Sequence, residues 1–211
     1  MVRWFKPVVF LACLGPLARL GWKAYSNALG ANPIEVITHS TGDWTLIFLL
    51  VTLAITPLRK LTGQLWLIRY RRMFGLFAFF YVVLHFLTYI WLDKFFALHE
   101  MLADVAKRRF ITVGFTGFVL LIPLALTSTT GWIRRLGGKR WRALHRLIYF
   151  SAIAGVIHYY WLVKADKHKP LEYAGVLALL LGYRIAVWAV PKFATNRVTS
   201  VRGPRLEVPE R

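Results

Sequence analysis

Hydrophobic residues in this chain come in blocks rather than in alternation. Six apolar runs, near 4–22, 43–58, 73–92, 110–126, 142–163 and 171–191, are separated by short polar and basic connectors. A helix of about 20 apolar residues crosses a hydrocarbon core of about 30 Å, so each run is a candidate membrane span. The runs at 73–92, 142–163 and 171–191 are the clearest. The run at 43–58 is short, and the first is interrupted by Pro7, Pro16 and Arg19. The pattern predicts an all-α integral membrane protein: a six-helix bundle over 1–192 and a short basic tail over 193–211. The first run has a second reading as a signal peptide, because Arg3 and Lys6 precede a short apolar core. No A-x-A site follows it, and "FLAC" with Phe10 is a poor lipoprotein box, so an uncleaved span is expected. The stretch "GQLWLIRYRR" reads as a short interfacial segment, with Trp66 and Tyr70 at headgroup depth.

Composition agrees with the pattern. Of the 211 residues 57% are apolar and 16% aromatic, more than a soluble domain carries. The net charge of +19 raises nucleic-acid binding, but the basic residues form no stripe; they sit between hydrophobic runs. They concentrate at the N-terminus (Arg3, Lys6), after the second run (Arg59, Lys60, Arg69, Arg71, Arg72), after the fourth (Arg134, Arg135, Lys139, Arg140, Arg142) and in the tail. The positive-inside rule makes that side cytoplasmic and places both termini there. Cys13 is the lone cysteine, which excludes an intramolecular disulfide and a cysteine-based metal cluster.

Histidines bring chemistry into the spans. His39, His99 and His168 fall in the outer loops, where a solvated ring is the plain reading. His85, His145 and His158 lie within spans, where a polar ring is costly and usually functional. His145 and His158 are thirteen residues apart, about 20 Å along a helix at 1.5 Å per residue. His85 stands thirteen residues after Arg72 on a span running the other way, which sets it at the depth of His158. Two imidazoles at one depth on facing helices can clamp a flat metallomacrocycle, as in bis-histidine haem ligation. Gly155 would leave room for a porphyrin edge, and Phe77, Phe79, Phe80, Tyr81, Phe86, Tyr159 and Tyr160 would wall an apolar slot. On one continuous helix His145 and His158 would point about 140° apart, so two haems would meet that helix from different sides, or the helix bends. The alternatives are histidines bonded to backbone carbonyls or to each other, and a metal-transport path, for which the spans offer almost no carboxylates.

Four stretches then carry a resemblance: "ANPIEVITHSTGDW", "TLAITPLRK", "LIRYRRMFGLFAFFYVVLHFLTY" and "LTSTTGWIRRLGGKRWRALHRLIYFSAIAGVIHYYWLVK". They resemble the ferric-reductase-like transmembrane family, and within it the haem-binding membrane subunits of periplasmic protein-methionine-sulfoxide reductases. The resemblance implies that His85, His145 and His158 ligate haem b, one group or two. It implies an inner-membrane electron conduit, fed by the quinol pool or a cytosolic flavin reductase and emptied into a periplasmic molybdopterin partner that repairs oxidised methionine. FMN is associated with the family, although no fingerprint for it stands in this chain. Relatives such as the NADPH oxidases carry a second histidine fourteen residues before the position of His85; here that residue is Arg71. A guanidinium stays protonated and ligates iron poorly, so Arg71 is expected to pair with a haem propionate. The alternatives are a replacement ligand, a five-coordinate inner iron or an outer haem alone. His39, in "HSTGDW", is expected just before the second span, with Ser40, Thr41 or Asp43 capping the helix and a role at an outer quinol or partner site.

No G-x-G-x-x-G follows a strand, no nucleophile–base pair is evident and no carboxylates pair in a cleft. The expectation is a wire and anchor whose donor and chemistry lie in partners. Two rivals stand beside it: a stand-alone cytochrome b that reduces ferric chelates, and a haem-free six-helix transporter.

Overall fold

The structure, a computed structural model, describes residues 5–201, with side chains through 189. Among the described residues every regular element is helical: α1 (Phe5–Tyr25), α2 (Pro33–Thr62), α3 (Ile68–Leu87), α4 (Leu98–Lys107), α5 (Arg109–Leu126), α6 (Thr130–Leu144), α7 (Leu147–Leu162) and α8 (His168–Val201). A 3-10 turn, Leu65–Leu67, leads into α3 and a π-turn, Thr88–Asp93, leaves it. Five segments are long and apolar enough to cross a membrane: Phe5–Tyr25, Pro33–Thr62, Leu65–Asp93, Arg109–Leu126 and His168–Ala189. The run expected at 142–163 is α7, which with 16 residues falls short of that length. Most of the basic tail lies outside the described residues, as do Arg3 and Trp4.

The second span begins ten residues earlier than its apolar run, at Pro33 rather than Asp43. Asn32 caps it, its side chain accepting from the Glu35 amide at 3.3 Å. Pro33 occupies the first turn, where a missing N–H costs nothing. The polar stretch that follows stays helical because Thr38 and Thr41 return their hydroxyls to their own helix, bonding the Ile34 and Ile37 carbonyls at 2.7 and 2.8 Å. His39 is therefore a helical residue of the second turn, not part of a loop before the span. At the far end Gly63 takes the left-handed conformation (φ 72°) and returns its N–H to the Arg59 carbonyl at 3.0 Å, a glycine C-cap.

Two helix pairs make the core. On α2 and α3, Phe48 stacks with Phe74, Phe77 and Tyr81, ring centres 6.2, 5.6 and 5.4 Å apart. On α5 and α7 the contact is close because the residues are small. The Ser151 hydroxyl donates to the Gly117 carbonyl at 2.8 Å, and a Cβ on Gly117 would stand 3.2 Å from that of Ala154. Interfaces of small residues let membrane helices approach where apolar burial gives little drive. Tyr81 pins the otherwise exposed α1 to this core. Its hydroxyl donates to the Cys13 carbonyl (2.9 Å) and accepts from the Leu17 amide (3.2 Å), inserting itself into the helical ladder beside Pro16.

The bundle has two chemically distinct ends. The ends of α3 and α7 meet the starts of α2, α5 and α8, and this acidic end holds Glu35, Asp43 and Asp104. The opposite, basic end holds Arg59, Arg71 and α6, an exposed helix broken at Gly137 (φ 72°, ψ 150°).

Candidate functional site

At the acidic end the structure brings His85 of α3 and His158 of α7 together, ring centres 6.1 Å apart and planes at 83°. Each ring is held through Nδ1. His85 Nδ1 lies 3.0 Å from the Thr38 carbonyl and 3.5 Å from the Thr41 hydroxyl, both on α2. His158 Nδ1 lies 2.7 Å from the Phe110 carbonyl at the start of α5. A carbonyl can only accept, so both rings carry their proton on Nδ1, which leaves Nε2 with a free lone pair. Neither Nε2 has a hydrogen bond among the described residues.

Close backbone approach makes this possible. The His85 ring packs on Gly42, where a Cβ would stand 3.2 Å from Nδ1 and Cε1. His158 packs harder on Gly114, where a Cβ would fall 2.5 Å from Nδ1 and 2.9 Å from Cγ. Gly155 does not leave an open edge; a Cβ there would meet Leu46 Cδ2 at 2.9 Å, so this glycine serves the packing of α7 on α2. The aromatic residues divide differently from a single slot wall. Phe77 and Tyr81 belong to the core under α1, Phe79 and Phe86 stack on Phe118 of α5, and Tyr160 carries the Lys167 ammonium over its face at 4.3 Å.

His145 stands apart, and not on the helix of His158. It is the C-cap of α6, and α7 starts at Leu147. The wheel angle between the two rings therefore does not apply, because a turn separates them. His145 Nε2 lies 3.2 Å from the Thr127 hydroxyl, and its ring stacks on Trp141 at 3.9 Å. The Trp141 indole donates to the Thr127 carbonyl at 2.9 Å, fixing the stack. Arg71 comes within electrostatic reach of His145, Tyr149 and Arg184. No second histidine joins His145, and among the described residues no three His, Cys, Asp or Glu side chains gather as a metal site.

His39 is half-exposed, 3.9 Å from Glu35 and with its ring 6.4 Å from that of Tyr159. Tyr159 also comes within electrostatic reach of Asp43, which faces Lys169 at 3.8 Å. His99 lies on α4 and His168 opens α8, both away from the paired rings. In the connection that holds α4, Asp104 gathers Lys94 (2.7 Å), Arg108 (3.2 Å) and the Tyr89 hydroxyl (3.2 Å). The Lys94 hydrogen bond holds the Asp104 carboxyl below its usual range, and the same bond raises Lys94.

Sequence reasoning missed the supports of the rings: the Thr38 and Phe110 carbonyls, Gly42, Gly114, Thr127 and Trp141. It also passed over Arg184, although an arginine inside an apolar run is a signal in its own right.

Residues 41–156 match the family described as ferric reductase like transmembrane component. The chain belongs to the ferric-reductase-like transmembrane family. The match covers Arg71, His85, Gly114 and His145 and stops two residues short of His158. A relative from Herminiimonas arsenicoxydans is 57% identical over 194 residues, covering 90% of this chain and 88% of its own. Relatives from Rhodospirillum rubrum (55% identical; 93% and 91% covered) and Bordetella pertussis (54%; 87% and 89%) follow. All three are named protein-methionine-sulfoxide reductase heme-binding subunit MsrQ, and the chain groups with them inside the ferric-reductase-like family. No solved structure matches it significantly.

Proposed function

We propose that this chain is a haem-carrying electron-transfer subunit of a protein-methionine-sulfoxide reductase system. The observation that carries the reading is the His85–His158 pair. A metal–imidazole bond of about 2 Å, with about 1 Å more to each ring centre, sets two axial imidazoles about 6 Å apart; the rings stand at 6.1 Å. Both Nδ1 atoms are already occupied by carbonyls, the outer-shell arrangement that orients a metal-binding imidazole and raises its basicity. In this reading His85 and His158 would hold one haem b, and Thr38, Thr41 and Phe110 fix the rings that would hold it.

His145 is the candidate ligand of a second, inner haem, with Arg71 pairing a propionate. A haem held in this way supplies reversible one-electron storage, at a potential set by its axial ligands and the polarity around it. The protein's part is to fix the two sites at opposite ends of one bundle and to exclude water between them with the Phe48, Phe77 and Tyr81 core. Electrons would enter from the quinol pool or a cytosolic flavin reductase at the basic end, assigned as cytoplasmic by the positive-inside rule. They would leave at the acidic end to a periplasmic molybdopterin-containing methionine-sulfoxide reductase, in which case the chain would lie in the inner membrane. FMN, associated with the family, has no residues assigned to it in this reading.

The test is an absorption spectrum of the purified chain, oxidised and dithionite-reduced, with pyridine-haemochrome quantitation. A low-spin b-type spectrum lost in His85→Ala and in His158→Ala, and reduced in part in His145→Ala, is expected. A colourless wild type from haem-replete cells would sink the reading. Copurification with a methionine-sulfoxide reductase, rather than reduction of ferric chelates by the chain alone, separates it from a stand-alone metal reductase.

A further inference from the structure

All seven acidic residues before position 190, from Glu35 to Glu172, belong to the acidic end or its loops. The basic end therefore has guanidinium groups and no carboxylate among the described residues. It also holds every buried side-chain polar atom among the described residues that has no hydrogen-bond partner: Thr56 Oγ1, Arg59 Nε and Arg184 Nε. Buried polar atoms are rarely left unpaired, and an unpaired group asks for an explanation such as a bound ion or ligand.

Arg184 is built into this end. Pro57 has no N–H, which leaves the Leu53 carbonyl of α2 without its helical partner. The Arg184 guanidinium supplies one, donating to that carbonyl at 2.7 Å and to the Tyr149 hydroxyl at 2.6 Å, and lies 5.0 Å from the centre of the Tyr149 ring. Both acceptors are neutral. They use part of the donor fork and bring no opposite charge, and Arg71 adds a second cation within reach. A guanidinium held among apolar helices is costly unless an anion meets it.

We propose that Arg184, with Arg71, is the carboxylate-binding site for the propionates of a haem held on His145. The proposal rests on the haem reading above. Arg71 lies within electrostatic reach of both His145 and Arg184, which ties the guanidinium to the ring's end of the bundle. Leu53, its other partner, is nine residues before the end of α2, about 14 Å inward. That is deeper than a lipid phosphate sits, and it favours a carboxylate carried on a group inserted into the bundle.

The experiment follows haem transfer from the purified full-length chain to an excess of apo-globin, for wild type, Arg184→Gln, Arg184→Lys and His145→Ala. In Arg184→Gln the haem lost in His145→Ala should leave at least about tenfold faster, the loss of one charge-assisted bond. The His85–His158 haem should keep its rate and so report a folded protein, and Arg184→Lys should recover part of the retention. Reconstituted with the dimethyl ester of haem, wild type and Arg184→Gln should lose the inner group equally fast. Wild-type retention in Arg184→Gln overturns the proposal. So does loss of copurified phospholipid with haem retention unchanged, which assigns the cation to a lipid phosphate. The same loss of haem in a Glu207→Gln, Glu210→Gln variant would give the counter-charge to the tail and also overturn it. If His145→Ala carries as much haem as wild type, the inner-haem reading fails first, and that result is distinct from a failure of Arg184 alone.

Discussion

Gly114→Ala tests the site where it is tightest. The added Cβ would fall 2.5 Å from His158 Nδ1 and 2.9 Å from Cγ, whereas non-bonded carbon contacts settle near 3.5–4.0 Å. The ring must therefore move by about 1 Å. Moving away from α5 breaks its 2.7 Å contact with the Phe110 carbonyl, worth about 1 kcal/mol. Overpacking adds about 1–3 kcal/mol, and alanine returns about 1 kcal/mol over a mid-helix glycine. The net change in stability is thus modest, about 1–3 kcal/mol, while an iron–nitrogen bond cannot follow a displacement of that size. The expected outcome is a folded protein whose outer low-spin haem signal is lost or converted to high spin. The assay is the reduced-minus-oxidised spectrum beside thermal unfolding in detergent. Two glycines calibrate it. Gly42→Ala, with His85 at 3.2 Å, should shift the spectrum less, and Gly75→Ala, with Thr52 Cγ2 at 3.7 Å, should leave it alone. An unaltered spectrum in Gly114→Ala would refute the claim that His158 reaches iron from this packing position.

Three further outcomes follow from other parts of the molecule. If His85 and His158 hold a haem as proposed, the 83° angle between the rings would leave the two iron orbitals that bond with the imidazole planes nearly degenerate. Electron paramagnetic resonance of the oxidised protein should therefore show one strongly anisotropic low-field feature for the outer haem; a rhombic triplet would mean the planes are aligned. Tyr81→Phe removes the hydroxyl that joins the Cys13 carbonyl and the Leu17 amide. It should cost about 1–3 kcal/mol and open α1 to limited proteolysis first, with the haem spectrum unchanged. The Asp104–Lys94 clip should depend on pH from both sides. Asp104 titrates below its usual range, so its contribution is full above the ordinary carboxylate pKa and lost as pH falls through the depressed value. Lys94 titrates above its usual range, so its contribution is full below the ordinary lysine pKa and lost as pH rises through the raised value. Amide protection in α4, the exchange rate relative to the intrinsic rate at each pH, should be highest on the plateau between them, and Asp104→Asn should remove the acid limb.

What the sequence by itself determined is the class of molecule and a short list of candidate groups. Lengths of apolar run are dictated by the bilayer, so the helical membrane architecture was readable without any fold in hand. So was the cost of an imidazole inside a span, which singled out His85, His145 and His158. Element ends were less legible, because local hydrogen bonds set them. Hydroxyls bonded back to carbonyls carried α2 ten residues upstream through Thr38, Thr41 and Asp43. A turn at His145 divided a continuous apolar run into α6 and α7. Only the tertiary structure decided which groups meet. Matched depth had already set His85 and His158 at one level, but the carbonyls that fix their tautomers and the glycine that admits His158 to α5 come from helices far apart in sequence. Nothing in the local pattern of Gly114 or Phe110 marks it as the partner of a ring 44 or 48 residues away. Arg184 joins the Leu53 carbonyl for the same reason: a proline on α2 left an acceptor unpaired, and packing placed a donor from α8 against it.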